Sequence, residues 1–549
     1  MKGRQISSNI RIALDVVARA KQKQWAGALL MLDWEKAYDV VDWGWLDKCL
    51  RRAGFNMDSE YSFGSILNTL HHGACRKVLV NGFLSESFPI FASVPQGSPL
   101  SSYLFLVSCE PLHQHIRAND KIRGLRLPNG EELKTSSFAD DSCLYVAEED
   151  HEESLSEIEK AVDLYCKASA ASLNRDKTVG VMLSDHDPWQ QVRFKVDRWV
   201  GQGECERYLG AYIGAPDKTI KHWDDIIDKM KGRAKRWALR ELSIYGRSLV
   251  HKASIASCLW FLASVMDAPK SVSKEMKTVC ESVLWREGVH LVAHSVACMP
   301  QTLGGFKKMD VVLELEAHRA KWGVRYLDTN NKEKWKSIVR EWIHEAGAPW
   351  GLRDNLWLCS PSRAVKSRVL ESSMPQFWKD ALAAFWKLRV TVRGHVTGGG
   401  DPDMQSIYFT TVTISEYCTV HYFNTQTLPL SEYRVKLGYW CLVRHTHRVP
   451  VPKSQERWAG MPWAVEWPTA WSSVRSKSLT KKQEWRAYRL MHCVGSATVK
   501  LCGEGECFCG LEVADMWHGL FECERAKVVW RQVERWWYKL GGVSPVEHP

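Results

Sequence analysis

The sequence predicts an α+β or α/β protein, with strands and helices alternating over about the first 214 residues and a mostly helical remainder. Three observations carry this. An unbroken apolar run, Gly27 to Leu32, stops at Asp33, the pattern of a strand buried on both faces. The segment Arg76 to Phe91 has Asn81-Gly82 near its middle, the dipeptide that supplies the positive φ angles of a tight hairpin turn. Between Glu152 and Ala171, Leu155, Ile158, Val162 and Tyr165 recur at helical spacing.

The other elements follow in order. Ser8 to Lys21 carries helical spacing through Ile12, Val16 and Ala20. Trp43 to Ala53 and Ser59 to His71 read as helices. Ser98-Pro99 is expected to start another, with Ser98 as N-cap and Pro99 first inside, continuing over Ser102 to Ile116. Ser137 to Val146 reads as two short strands around Asp140-Asp141. From His222 to Met266 the chain becomes helical and basic, and the run Lys229 to Arg236 precedes Trp237. After a Pro/Gly break at Pro300 to Gly305, residues 306–390 are helical and tryptophan-bearing. Gly398 to Pro402 reads as a linker, Pro450 to Pro452 and Pro462 to Pro468 as irregular, and a Cys/His-rich segment closes the chain.

At 549 residues the chain is too long for one core, and two to four domains are expected. The composition, 45% hydrophobic and 25% charged, excludes wholesale disorder. A net charge of +11 suits a polyanionic partner. The 27 tryptophans could stack on bases, although core packing is the simpler use for most of them. Nothing at the N-terminus reads as a secretory signal, so the 17 cysteines are expected as reduced thiols. The longest apolar stretch, Ser254 to Met266, is too short to span a bilayer, and no membrane partner is expected.

Asp33-Trp34-Glu35-Lys36-Ala37-Tyr38-Asp39 follows the first strand, and Phe138-Ala139-Asp140-Asp141 occupies a hairpin. Nucleotidyl transfer by two hard divalent cations, about 4 Å apart, needs such convergent carboxylates. Val94-Pro95-Gln96-Gly97-Ser98-Pro99-Leu100-Ser101 lies between them, a turn that can bring backbone close to a phosphate or base. Taken singly each has a plain alternative: Asp-Asp suits any turn, and Ser-Pro any capped helix start. Their order decides the matter.

The three strings in that order resemble motifs A, B and C of reverse transcriptases. Leu173-Asn174-x-x-Lys177-Thr178 looks like motif D of the non-LTR (LINE-type) branch, and Arg207-Tyr208-Leu209-Gly210 like its motif E, the primer grip. Gly3 to Ile10 is similar to the segment preceding motif A. Trp237 to Arg247 looks like the thumb, while Leu303 to Phe306 and Ala317 to Trp322 resemble segments that follow it. The resemblance covers about residues 1–330 and the tail.

The resemblance implies a right-hand polymerase: palm with partial fingers over 1–214, helical thumb over 215–300, a connection region of unassigned role over 301–490, and a zinc-binding segment over 491–549. Asp33, Asp140 and Asp141 match the ligands of two Mg²⁺ ions. Tyr38 matches the ring that rejects a 2′-hydroxyl, and Gln96 and Gly97 the turn near template and incoming nucleotide. Lys177 matches a general acid for pyrophosphate, with a plain surface lysine as the alternative. Lys229 to Arg240 would follow the primer–template backbone or form a solvated basic face. Cys507, Cys509, His518 and Cys523 have the ligand set of a structural zinc site, with Cys502 able to replace Cys507.

The implied partners are an RNA template, a DNA primer or target and dNTPs, with oligomeric state unassigned and the protein expected in nucleus and cytoplasm as a ribonucleoprotein. Ser93 stands where the family often has Gly, and Pro95 where many LINE-type members have Arg. The family's endonuclease and complete fingers are not visible, so an N-terminally truncated element is expected. An inactive nucleic-acid-binding remnant is the main alternative. A maturase-like palm protein is another, which the tail and the Glu35 to Asp39 string disfavour.

Overall fold

A computed structural model describes residues 5–183 (except 24 and 72), 196, 198–201, 203–214, 216–285, 292–392, 418–421, 427–447, 452, 455–456, 466–474, 479–492 and 523–539. The chain forms two compact units. One comprises Met1–Ile226, Leu259–Val272 and Leu315–Gly438; the other comprises Ile227–Cys258, Ser273–Glu314 and Tyr439–Pro549. The stretches 215–300 and 301–490 are therefore each divided between the units.

The first unit opens with α1 (Ile6–Lys23) and β1 (Gly27–Leu32). Then come α2 (Trp43–Arg52), α3 (Phe63–His71), β2 (Cys75–Arg76), β3 (Leu79–Val80), β4 (Phe83–Leu84) and β5 (Phe88–Pro89). Helix α4 (Ser101–Ala118) precedes β6 (Leu125–Arg126), β7 (Glu132–Leu133), β8 (Thr135–Phe138) and β9 (Asp141–Ala147). Helix α5 (His151–Ser169) leads to β10 (Val179–Met182), β11 (Arg198–Val200), β12 (Cys205–Tyr208) and β13 (Ala211–Gly214).

The main sheet has the order β11-β10-β1-β9-β8. It is antiparallel except where β10 meets β11. All six residues of β1 are buried, as its unbroken apolar run predicts. Ala28, Leu30 and Leu32 share one core with Leu104, Phe105 and Leu112 of α4 and Leu155, Ile158 and Val162 of α5. The Asn81-Gly82 turn forms as expected: both residues have positive φ (49° and 88°), and Val80 pairs with Phe83 across it.

One start differs from expectation. Helix α4 begins at Ser101, and Leu100 caps it without a side-chain hydrogen bond. Ser98 N–H instead donates to Pro95 C=O (3.2 Å), and Ser101 Oγ donates to the same carbonyl (2.6 Å). Ser98 Oγ still accepts from Leu100 N–H (3.4 Å), as expected of a capping serine, although the regular helix starts three residues later. The helix expected from Ser59 begins at Phe63.

The same unit contains α8 (Trp260–Ala263), α12 (Trp335–Gly347), α13 (Arg363–Glu371), α14 (Gln376–Lys387) and most of α11 (Val311–Leu327). The tryptophans here build a core. Trp322 meets Trp335 edge-on at 5.1 Å, and Trp335 stacks on Trp378 at 5.2 Å. This core reaches α1: Trp378 Nε1 donates to Asp15 Oδ1 (2.8 Å), and Trp342 Nε1 donates to Gln22 Oε1 (2.7 Å). Arg11 pairs with Asp15, donates to Val265 C=O (2.9 Å) and lies 4.2 Å over the Phe377 ring.

The second unit takes most of α6 (Pro216–Ala238) and of α9 (Lys270–Leu284), together with α7 (Ile244–Val250) and α10 (His294–Cys298). Its later helices are Trp467–Ser473, Lys481–Met491 and Glu524–Lys539, joined by most of the helix Val435–His447. Among the described side chains of α6, Trp223, Ile227, Met230 and Ala234 are buried, whereas Lys229, Lys235 and Arg236 are exposed. Ile244, Trp285, Phe306, Trp471 and Tyr488 form the core. A side chain at Gly305 would place Cβ 2.1 Å from Met299 C=O, so that close backbone approach requires glycine.

Candidate active site

The site begins where β1 ends. Leu32 is paired with Ser142 of β9, so the next residue on each strand brings Asp33 opposite Asp141. Phe138 pairs with Asp141 across a two-residue turn formed by Ala139 (φ 54°) and Asp140. The β1–β9 register and the β8–β9 turn thereby assemble three carboxylates from separate parts of the chain.

Electrostatics shows their closeness. Asp141 is pushed up from 3.8 to about 6, by burial first and then by the charges of Asp140 and Asp33. Among the described residues no cationic side chain forms an ion pair with any of the three. Uncompensated carboxylate oxygens in this arrangement fit hard divalent cations, which take oxygen ligands.

Tyr38 stacks on Phe105 of α4 with ring centroids 4.8 Å apart. Burial raises its hydroxyl pKa, a hydrogen bond with Ser102 opposes this, and the charges of Asp140 and Asp141 add to the rise. The ring thus stands beside the carboxylate pair. Its backbone carbonyl accepts from Val94 N–H (2.8 Å), and Val41 C=O accepts from Ser93 N–H (2.9 Å). These bonds fasten the loop holding Gln96 and Gly97 to the segment after Asp33. Gln96 and Gly97 are both exposed and form the middle of the turn closed by Ser98 N–H on Pro95 C=O. Gly97 has φ 90°, which requires glycine in that turn.

Asn174 N–H donates to Asp33 C=O (2.8 Å), and Glu35 N–H donates to Ser172 C=O (2.9 Å). Asp33 N–H donates to Thr178 Oγ1 (3.3 Å), whose hydroxyl donates to Asn174 C=O (2.8 Å). The segment 172–178 therefore clamps the backbone on both sides of Asp33. Lys177 lies in this segment with its side chain exposed. The β12–β13 hairpin turns at Leu209 (φ 50°) and Gly210 (φ 83°). Burial chiefly, with the charges of Cys143 and Asp141 among the lesser causes, holds Tyr208 at the end of β12 well above its usual range.

Cys507, Cys509 and His518, and the alternative Cys502, lie outside the described residues, while Cys523 is buried just before the last helix.

Two features escaped sequence reading. Arg76 Nη2 donates to Ser93 Oγ (2.7 Å), and Nη1 lies 3.8 Å from Asp39. Ser93 has φ 105°, a conformation natural to glycine, and Trp43 Nε1 donates to its carbonyl (2.8 Å). The string Asn81-Gly82 announced the hairpin that carries Arg76, but nothing local announced that cation's partners. The second is a cluster of His294, Cys298, Asp310 and His447 that could hold a metal ion. Apart from His294 and Cys298, four residues apart, its members are widely separated along the chain, so no complete ligand spacing marks it.

Residues 1–213 match the family described as reverse transcriptase (RNA-dependent DNA polymerase). Over 407 residues, 73% of its length, the chain is 25% identical to the Transposon TX1 uncharacterized 149 kDa protein of Xenopus laevis. It spans 30% of that relative's length.

Proposed function

With residues 1–213 belonging to the reverse transcriptase family, we propose that the chain is an RNA-directed DNA polymerase of a non-LTR retrotransposon. The observation that carries this is the assembly of Asp33, Asp140 and Asp141, with no ion-paired cation among the described residues and with Tyr38 within reach of their charges. Distant similarity to a transposon protein supports the element type.

Asp33, Asp140 and Asp141 would hold two Mg²⁺ ions, which when bound supply the charge that activates a primer 3′-hydroxyl and offsets the leaving pyrophosphate. The ring of Tyr38, braced by Phe105, excludes a ribose 2′-hydroxyl from the nucleotide site. The turn at Gln96 and Gly97 offers exposed backbone to template and incoming dNTP. Lys177 is assigned as the proton donor to pyrophosphate, from a segment whose backbone already grips Asp33. The sheet unit acts as palm. Helix α6 supplies a thumb surface through Lys229, Lys235 and Arg236, which neutralise primer–template phosphates. The 301–490 region braces α1 in part, and a tail zinc site at Cys507 (or Cys502), Cys509, His518 and Cys523 grips RNA or target DNA. Such a protein works as a ribonucleoprotein of nucleus and cytoplasm.

The test is extension of oligo-dT on poly-rA with Mg²⁺, with primer–template binding followed by fluorescence anisotropy. We expect extension by the native chain. Tyr38→Ala should accept rTTP at least about 10-fold better than the native chain, while Tyr38→Phe, which keeps the ring, should not. Binding without extension would establish the inactive remnant instead.

A further inference from the structure

We propose that the second compact unit contains a zinc site made by His294, Cys298, Asp310 and His447. It is separate from the carboxylates of the sheet and does not depend on the polymerase reading. The four candidate donor atoms all lie within 4.8 Å of one another. His294 and Cys298 stand four residues apart on α10, which puts both on one helix face. Asp310 precedes α11, and its two oxygens are divided between tasks. Oδ1 accepts from Val312 N–H (3.0 Å) and Leu313 N–H (3.2 Å), so Oδ2 is left for the cluster. His447 ends the helix Val435–His447.

The distances suit a tetrahedral ion. Ligand bonds of about 2.3 Å to sulfur and about 2.0 Å to nitrogen imply an S···N edge of about 3.6 Å. Cys298 Sγ and His294 Nε2 are 3.6 Å apart. His447 Nε2 and Asp310 Oδ2 are 3.7 Å apart, somewhat over the about 3.3 Å edge expected for nitrogen and oxygen. A third edge, His294 Nε2 to Asp310 Oδ2, is 2.7 Å, the length of a hydrogen bond that an ion would replace.

A second observation points to a ligand. Among the described residues His447 Nε2 is buried, makes no hydrogen bond within 3.5 Å and lies 3.7 Å from Asp310 Oδ2, a cost that an incoming cation removes. The charges also close. One thiolate and one carboxylate balance Zn²⁺, and two neutral imidazoles complete four ligands, so the loaded site adds no net charge to the interior.

The surroundings are built. Lys308, 1% exposed, places Nζ 2.8 Å from His294 Nδ1 and 2.5 Å from Glu281 Oε1. Tyr439 Oη accepts from Asp310 N–H (3.0 Å), which ties the helix carrying His447 to the loop carrying Asp310. When Nε2 of His294 binds the ion, its ring proton sits on Nδ1. Glu281 Oε1, 3.8 Å away, is the carboxylate placed to accept it as Lys308 withdraws from the ring. The ion would join α10, the loop carrying Asp310 and the end of the His447 helix, three separated stretches of the second unit.

The experiment is elemental analysis of the purified full chain carrying Cys507→Ser and Cys509→Ser, which disable the tail cluster. One equivalent of zinc should remain, and adding His447→Gln should remove it. Cobalt loading of the same tail variant should give the strong visible absorption of four-coordinate Co²⁺, with a thiolate charge-transfer band that vanishes in Cys298→Ser. The cobalt spectrum decides the matter even where His447→Gln fails to fold, because it needs only the intact cluster. No retained zinc and no tetrahedral cobalt spectrum in the folded tail variant would overturn the proposal. Retained zinc that survives both His447→Gln and Cys298→Ser would also overturn it.

Discussion

Changing Asp140 and Asp141 together to asparagine is expected to lower Mg²⁺-dependent primer extension by about 10³-fold or more, since a carboxylate-held cation supplies several kcal/mol of transition-state charge stabilisation. The same change is expected to stabilise the metal-free fold above pH 6. Asp141 is raised on folding from 3.8 to about 6, by burial and by its two carboxylate neighbours. The native state therefore binds this proton more tightly than the unfolded chain does. The corresponding stability is fully present below about pH 4 and is lost as pH rises through 6. Above that the native chain carries unrelieved repulsion, which the amide pair lacks. Metal-free melting curves should show the variant gaining on the native chain across this window. Mg²⁺ at pH 8 should restore the native chain and leave the variant unmoved. A variant that melts lower than the native chain at pH 8 without metal would show that the carboxylates are held by unseen cations.

The second large effect concerns stability. Asp15→Ala is expected to destabilise the first unit by about 3–5 kcal/mol, because it leaves the Arg11 guanidinium buried without its anion. Burial raises the pKa of Asp15, Arg11 opposes that rise, and Trp378 donates to the same carboxyl oxygen. The pair therefore joins α1 to the tryptophan core, and its loss should loosen both. Denaturant unfolding followed by tryptophan emission reports this directly. A change under 1 kcal/mol would mean that solvent replaces the lost partner.

The convergence of the three carboxylates was legible for a physical reason. Each carboxylate sits at a feature that local sequence writes plainly: Asp33 ends an apolar run, and Asp140-Asp141 turns a hairpin. Motif order joined them, and the β1–β9 register brings them together. Helix boundaries were less legible. At Ser98 the bond to Leu100 N–H forms together with turn bonds onto Pro95 C=O, and the regular helix starts at Ser101. Contacts of long sequence separation left no trace at all. Trp378 bonds a residue 363 positions away, and His447 joins a cluster begun at His294. Tryptophan-rich helices announce a core without saying what they cover, and a lone histidine announces nothing.

The central claim is that Asp33, Asp140 and Asp141 hold two catalytic cations. Mn²⁺ binding, counted by electron paramagnetic resonance, tests it most directly on the full chain with a dideoxy-terminated primer on poly-rA and with dTTP. Two bound ions are expected in the native chain, and loss of both at the same free concentration in Asp140→Asn/Asp141→Asn. Equal stoichiometry and affinity in the two proteins would contradict it.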